Sequence, residues 1–209
     1  TATTTSKSKS VSSSDINIRL NVFEKARTVT SVCTSGTLCT TMSSMDGIEG
    51  APFGSFVDYV LDDCGNPVLL MNEMSMHTMN IQKATELSGE PPLVTLFTQL
   101  SGGSSSSGGG TASLGSGPNS NAANALPGGS KSSQDVARCS LTGTLEKINI
   151  QTATDLDVIR MRYSLTHAYA NQVMDSPKFA FYRLTPKKIY YVGGFGVLAK
   201  WVEPDQYRT

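Results

Sequence analysis

The stretch Lys188-Ile-Tyr-Tyr-Val-Gly-Gly-Phe-Gly-Val-Leu-Ala-Lys-Trp201 decides how this chain folds. Its first part, Ile189 to Val192, is a β-branched and aromatic run suited to a pleated, half-buried strand. Gly193-Gly194 then interrupts it, and apolar character resumes as far as Trp201. Paired glycines inside a strand pattern mark a bulge, or a point where another backbone or a ligand comes close. The bulge is the reading taken here. Gly36-Thr-Leu-Cys-Thr-Thr-Met42 and Gly54-Ser-Phe-Val-Asp-Tyr-Val60 have the same strand character, and together these pieces predict a small β-barrel.

Upstream of that stretch the strand candidates accumulate. Thr37 to Met42, Gly54 to Leu61, Pro67 to Asn72 and Pro92 to Leu100 precede a compositional break. Asp135 to Ile148, Phe179 to Leu184 and Ile189 to Phe195 follow it. Asp62-Asp-Cys-Gly-Asn66 has the Gly, Asn and Asp chemistry of a hairpin turn. Ile16 to Val32 carries apolar residues at 18, 22, 26, 29 and 32, close to a helical period, with Ser14-Asp15 as a cap. Further helices are predicted over His77 to Leu87 and Thr154 to Ala170.

The break itself is Ser101 to Ser133, where 20 of 33 residues are Gly or Ser. A coil of that length and composition spans on the order of 30 Å. It serves either as a linker between domains or as an insertion within one. Neither flank has enough strands to close a barrel, whereas together they supply seven. The expectation is therefore one domain over residues 15–209, with a flexible insertion at about 101–133.

Composition excludes several function classes. The chain has 209 residues, with 17 basic side chains against 17 acidic ones, so no excess of cations advertises nucleic acid. No apolar run approaches the roughly 20 residues of a membrane helix. Cys33, Cys39, Cys64 and Cys139 form no CxxC pair, so they read as free thiols in a reducing compartment rather than zinc ligands. The hydroxyl-rich segment Thr1 to Ser14 is weakly basic and has no acid. It is either the residue of an organelle transit peptide or a disordered tail. No Walker-A loop, HExxH or nucleophile elbow occurs, and Gly102-Gly103 and Gly108 to Gly110 lie in low-complexity sequence.

Taken in order, Ala26-Arg27, Gly36-Thr-Leu38, Pro52-Phe-Gly-Ser55, Leu61-Asp-Asp63, Gly65, Pro67, His77-Thr78, Asn80 and Val192-Gly-Gly-Phe-Gly196 resemble the HugZ-type haem oxygenase family. That family belongs to the pyridoxamine 5′-phosphate oxidase-like split barrels. The tail Pro204-Asp-Gln-Tyr207 is similar to that of CREG-type proteins, which share the barrel. The resemblance runs from about Phe23 to Tyr207 outside the Gly/Ser stretch. It implies a mainly β, antiparallel split β-barrel with flanking helices, dimeric, with two sites in the dimer groove. Plastid relatives imply a chloroplast stroma location.

The resemblance also implies where a cofactor would sit. The candidate residues are Asn72, His77, Thr78, Asn80, Tyr59, Arg27 and Arg138, with His77 the candidate metal ligand. In flavin-binding relatives the segment after the third strand carries cations for the flavin phosphate. Asn72 to Asn80 has no Arg or Lys here, which lowers FMN and raises haem, with Arg27 or Arg138 near its propionates. Bacterial relatives take an axial histidine from a further C-terminal region, which residues 1–209 do not include.

Each candidate also has a plainer role. The chain has two histidines; His77 follows a strand at a helix start, whereas His167 reads as structural. Cys39 and Cys64 are thiolate candidates that a strand or turn equally accounts for. Met71, Met74, Met76 and Met79 read as gap-filling side chains.

Three functions remain open: a haem-binding protein, which as an enzyme would oxidise haem in a plastid; an FMN-dependent oxidoreductase; or a non-catalytic adaptor for a protein partner. For the first, the cofactor would carry the chemistry while the protein orients it and excludes water.

Overall fold

The structure, a computed structural model, describes residues 20–43, 47–100 and 135–208. The expected tail over 1–14, the cap at Ser14-Asp15 and the flexible insertion at about 101–133 lie outside these residues.

The element order is α1 (Val22–Val32), β1 (Ser35–Thr41), β2 (Pro52–Leu61), β3 (Pro67–Asn72), α2 (Met76–Ser88), β4 (Leu93–Gln99), β5 (Arg138–Lys147), α3 (Leu156–Thr166), α4 (Ala170–Val173), β6 (Phe179–Gly193), β7 (Leu198–Val202) and α5 (Pro204–Arg208). The strands form one antiparallel sheet in the order β3-β2-β1-β4-β5-β6-β7, and β3 also pairs with β6. Six strands therefore close into a barrel, and β7 extends it beyond β6. The two strands flanking residues 101–134, β4 and β5, pair side by side from Leu93↔Thr144 to Gln99↔Arg138.

Alternation explains the core. Leu38, Leu69, Leu96, Leu141, Leu184 and Ile189 point inward from five strands and are buried. α1 closes over this interior with Ala26 and Val29, and Tyr207 of α5 joins it. The strand β3 is buried on both faces: Leu69 and Met71 enter the barrel, whereas Val68 and Leu70 pack outward against Ile159 and Tyr163 of α3. The Tyr163 hydroxyl accepts from the Leu70 amide (2.9 Å) and donates to the Asp58 carbonyl (2.7 Å), tying α3 to β2 and β3.

Three expectations need correction. Phe179 to Leu184 and Ile189 to Phe195 are not two strands but one, β6, 15 residues long. Pro186 suggested a break, yet a register shift beside Gly143 absorbs it: Thr142 pairs with Lys188 while Gly143 pairs with Pro186. Pro lacks a ladder donor and is tolerated at such an irregularity. Gly143 is required there, because a Cβ would stand 2.0 Å from the Thr185 carbonyl oxygen. The bulge thus sits at Gly143, not at Gly193-Gly194. Those glycines open a turn, and the seventh strand is β7, beyond it.

Two helix ends also differ. α1 begins at Val22, not Ile16, because Asn21 and Glu24 form a reciprocal capping box: the Asn21 Oδ1 accepts from the Glu24 amide (2.8 Å) and the Glu24 carboxylate accepts from the Asn21 amide (2.7 Å). The helix expected over Thr154 to Ala170 ends at Thr166, with His167 extended and α4 starting at Ala170.

Candidate functional site

The first turn of α2 packs against β1 and β2, and His77 is its centre. The imidazole is 4% exposed. Its Nδ1 lies 3.0 Å from Thr40 Oγ1 on β1, and its Nε2 lies 2.8 Å from Ser55 Oγ on β2. Hydroxyls both donate and accept, so this pair satisfies either neutral tautomer. Burial pushes the imidazole pKa down to about 4, which keeps the ring uncharged. Phe53 packs on it at 4.8 Å between centroids.

Asn80 continues the network. Its Nδ2 donates to Thr40 Oγ1 (3.1 Å), its Oδ1 accepts from the Ser43 amide (3.3 Å), and its carbonyl accepts from Ser43 Oγ (2.8 Å). Thr78 and Asn72 complete the corner. Ser75 caps α2, and the Thr78 hydroxyl donates to the Asn72 carbonyl (2.8 Å). The Asn72 side chain accepts from the Met74 amide (2.8 Å). The sequence-predicted residues of this segment therefore come together, along with Ser55 of the Pro52-Phe-Gly-Ser55 motif and Thr40, a partner not singled out from the sequence. Thr40 stands two residues beyond Gly36-Thr-Leu38, and a hydroxyl in a strand carries no signal of its own.

The other three candidates lie elsewhere. Tyr59 is buried in the barrel, and its hydroxyl donates to the Thr30 carbonyl of α1 (2.7 Å). Burial pushes its pKa well up. Arg27 stacks over Tyr207 at 5.3 Å, and the Tyr207 hydroxyl donates to the Gly65 carbonyl (3.1 Å). Gly65 has φ of 84°, and a Cβ there would collide with the Arg27 guanidinium. Arg27 thus joins α1, α5 and the β2–β3 turn. Arg138 opens β5 on the outward side, opposite Gln99 and Val192.

That outward side has a pattern of its own. Phe56, Thr37, Phe97, Ser140, Tyr190 and Trp201 are successive register partners across β2, β1, β4, β5, β6 and β7. Phe56 is 87% exposed and Trp201 65%. Tyr190 and Trp201 stand 4.8 Å apart between centroids, tilted at 44°. The two ends of the row are exposed, and Thr37, Phe97, Ser140 and Tyr190 between them are half-buried. The sequence reading missed β7 and so missed Trp201, although Leu-Ala-Lys-Trp-Val at 198–202 has the residue types of a short edge strand.

These placements limit what the corner can bind. A flavin phosphate needs cations or free donors, but Asn72 to Asn80 has no Arg or Lys and its Ser75 and Thr78 hydroxyls are committed to the cap. An iron bond to His77 would require Ser55 to release Nε2 and the ring to leave its pocket. His167 is no more open, with Nε2 3.1 Å from the Tyr59 carbonyl and the ring against Tyr163. The corner as folded fits neither a flavin phosphate nor a histidine-ligated iron. Among the described residues no group of three or more metal-ligating side chains occurs, and no helix is long and apolar enough to cross a membrane.

Comparison with known proteins follows the same outline. A heme binding protein from Mycobacterium smegmatis superposes with a TM-score of 0.64 at 23% identity, over 91% of this chain and 61% of that one. This chain thus spans less than two thirds of that protein's length. HutZ, the heme storage protein of Vibrio cholerae, gives 0.54 at 11% identity, over 85% and 99%. A pyridoxinephosphate oxidase family protein from Clostridium acetobutylicum, related to general stress protein 26, gives 0.50 at 12%, over 88% and 96%. At these identities the likeness is one of fold, the split barrel. No curated protein matches the sequence. The family model for the CREG β-barrel matches residues 18–209, nearly the whole chain, and the protein belongs to that family.

Proposed function

We propose that this protein is a homodimeric haem-binding split barrel that carries the macrocycle as cargo. The observation that carries the reading is the pair Tyr190 and Trp201 on the bare outer face of β6 and β7, with Arg138 on the same face. A flat apolar macrocycle suits stacked aromatic surface, and its propionates suit a guanidinium. The fold shared with a heme binding protein and a heme storage protein supports the choice of ligand. FMN is the poorer ligand, because the α2 corner has no cation and no spare hydroxyl for its phosphate.

Dimerisation belongs to the same proposal. An aromatic side chain as bare as Phe56, in line with Phe97, is the kind of surface that associates. A plastid location is proposed from the sequence resemblance alone, and oxidative degradation of haem, the alternative to carriage, rests on that resemblance too. A fluorescent fusion of the full-length protein tests the location.

A titration with haemin, followed by absorption, tests the ligand. The expected result is a saturating change in the Soret band at one haem per chain, unaffected by excess FMN. A protein that binds neither haem nor FMN would be the non-catalytic adaptor instead. That second reading is favoured by the exposed Phe195 and Val197 on the β6–β7 turn, which are placed to meet a protein partner.

A further inference from the structure

A cavity lies where α3 and the segment from Met174 to Phe179 lean over the end of β5. Its volume is about 700 Å³, within the range of sites for small organic molecules. Ile148, Leu156, Met174, Phe179 and Phe181 line it with apolar surface. Arg160 of α3 stands in the wall, its guanidinium paired with the Asp175 carboxylate. Asp175 is 81% exposed at its side chain, whereas that of Arg160 is 32% exposed. Lys147, the other cation of the wall, is already held by Glu73 at 2.7 Å.

The two charges differ in how firmly they are placed. Arg160 is partly buried beside an apolar wall, and its partner is a solvated carboxylate. An exposed ion pair of this kind is weak, so an incoming anion displaces Asp175 at small cost. We infer that this cavity binds a small amphipathic organic anion, with an aromatic or branched apolar body on the Phe179–Phe181 surface and its charge on Arg160. The site is separate from Trp201 and stands whether or not haem binds there.

The inference predicts opposite effects from the two halves of one ion pair. The probe is 8-anilinonaphthalene-1-sulfonate, an aromatic anion whose emission rises in apolar surroundings. Wild-type protein should bind it saturably. Asp175→Asn removes the competing carboxylate and should tighten binding about threefold, while Arg160→Gln should weaken it about fivefold, as expected for one charged contact. Both variants should unfold at nearly the wild-type temperature. Trp201→Ser should leave the effects of Asp175→Asn and Arg160→Gln on probe binding unchanged, because probe on the outer sheet face does not touch that pair. The inference is overturned if the probe does not bind, if Asp175→Asn and Arg160→Gln shift binding in the same direction or not at all, or if Trp201→Ser abolishes it. That last outcome would place the probe on the outer sheet face.

Discussion

Two outward faces of this barrel have the same strand alternation and opposite fates. On β2, β3 and β6, Val60, Val68, Leu70 and Phe181 are covered by α3 and α4, and the Tyr163 hydroxyl satisfies backbone groups of both β2 and β3. Across β2, β1, β4, β5, β6 and β7, the row from Phe56 to Trp201 is exposed at both ends and half-buried between them. The covered face has an apolar centre, with Arg183 at its edge paired to Asp62 and Asp155. The bare one mixes aromatics with Thr37 and Ser140, which suits a surface that spends time in water before meeting a partner. One face completes the fold, and the other is the surface proposed for the ligand and the dimer.

Breaking the covered face should have the largest effect. Tyr163→Ala removes a fully buried ring packed against Phe181 and leaves the Leu70 amide without its acceptor. The expected loss is about 3–5 kcal/mol in urea-induced unfolding. A loss under about 1 kcal/mol would mean that α3 is an ornament to the barrel.

The α2 corner comes next. His77→Leu should cost about 1–2 kcal/mol, because buried Thr40 loses a partner, whereas Ser55 is exposed and can turn to water. The pH dependence identifies the cause. With the folded pKa down at about 4 and the unfolded value near 6.5, the unfolded chain binds more protons between those limits. Stability is therefore full above about pH 6.5 and declines as the pH falls toward 4. His77→Leu should flatten that part of the profile, leaving the carboxylates to dominate below it. An unchanged slope would show that the ring is not buried neutral.

The bare face should give the smallest change in stability. Phe56→Ser and Trp201→Ser should each alter monomer stability by no more than about 0.5 kcal/mol, as usual for exposed positions. Light scattering should nevertheless show Phe56→Ser shifting the protein toward monomer at micromolar concentration. A wild-type protein that is monomeric under those conditions would remove the dimer from the account.

The barrel was legible because alternation and turn chemistry are local. Gly36-Thr-Leu38, Asp62 to Asn66 and the run before Gly193 each announce a strand or its end. What failed was non-local. Pro186 looks like a strand end until Gly143, on another strand, is seen to accommodate it. The corner was readable as a segment, since Asn72, His77, Thr78 and Asn80 are near one another in sequence. Tyr59, Arg27 and Arg138 were not, because their neighbours Thr30, Tyr207, Gln99 and Val192 meet them only through the closed sheet and α1. The aromatic row was hidden for the same reason, being one residue from each of several strands.

Trp201 permits a direct test, because it is the chain's one tryptophan and belongs to the proposed ligand surface. Haem absorbs where tryptophan emits and quenches it at short range. Titrating the protein with haemin while following Trp201 emission should give saturable quenching that parallels the Soret change, and an equal concentration of FMN should neither quench saturably nor compete. A Soret change without saturable quenching would put the macrocycle away from β6 and β7, and no response in either signal would contradict haem binding altogether.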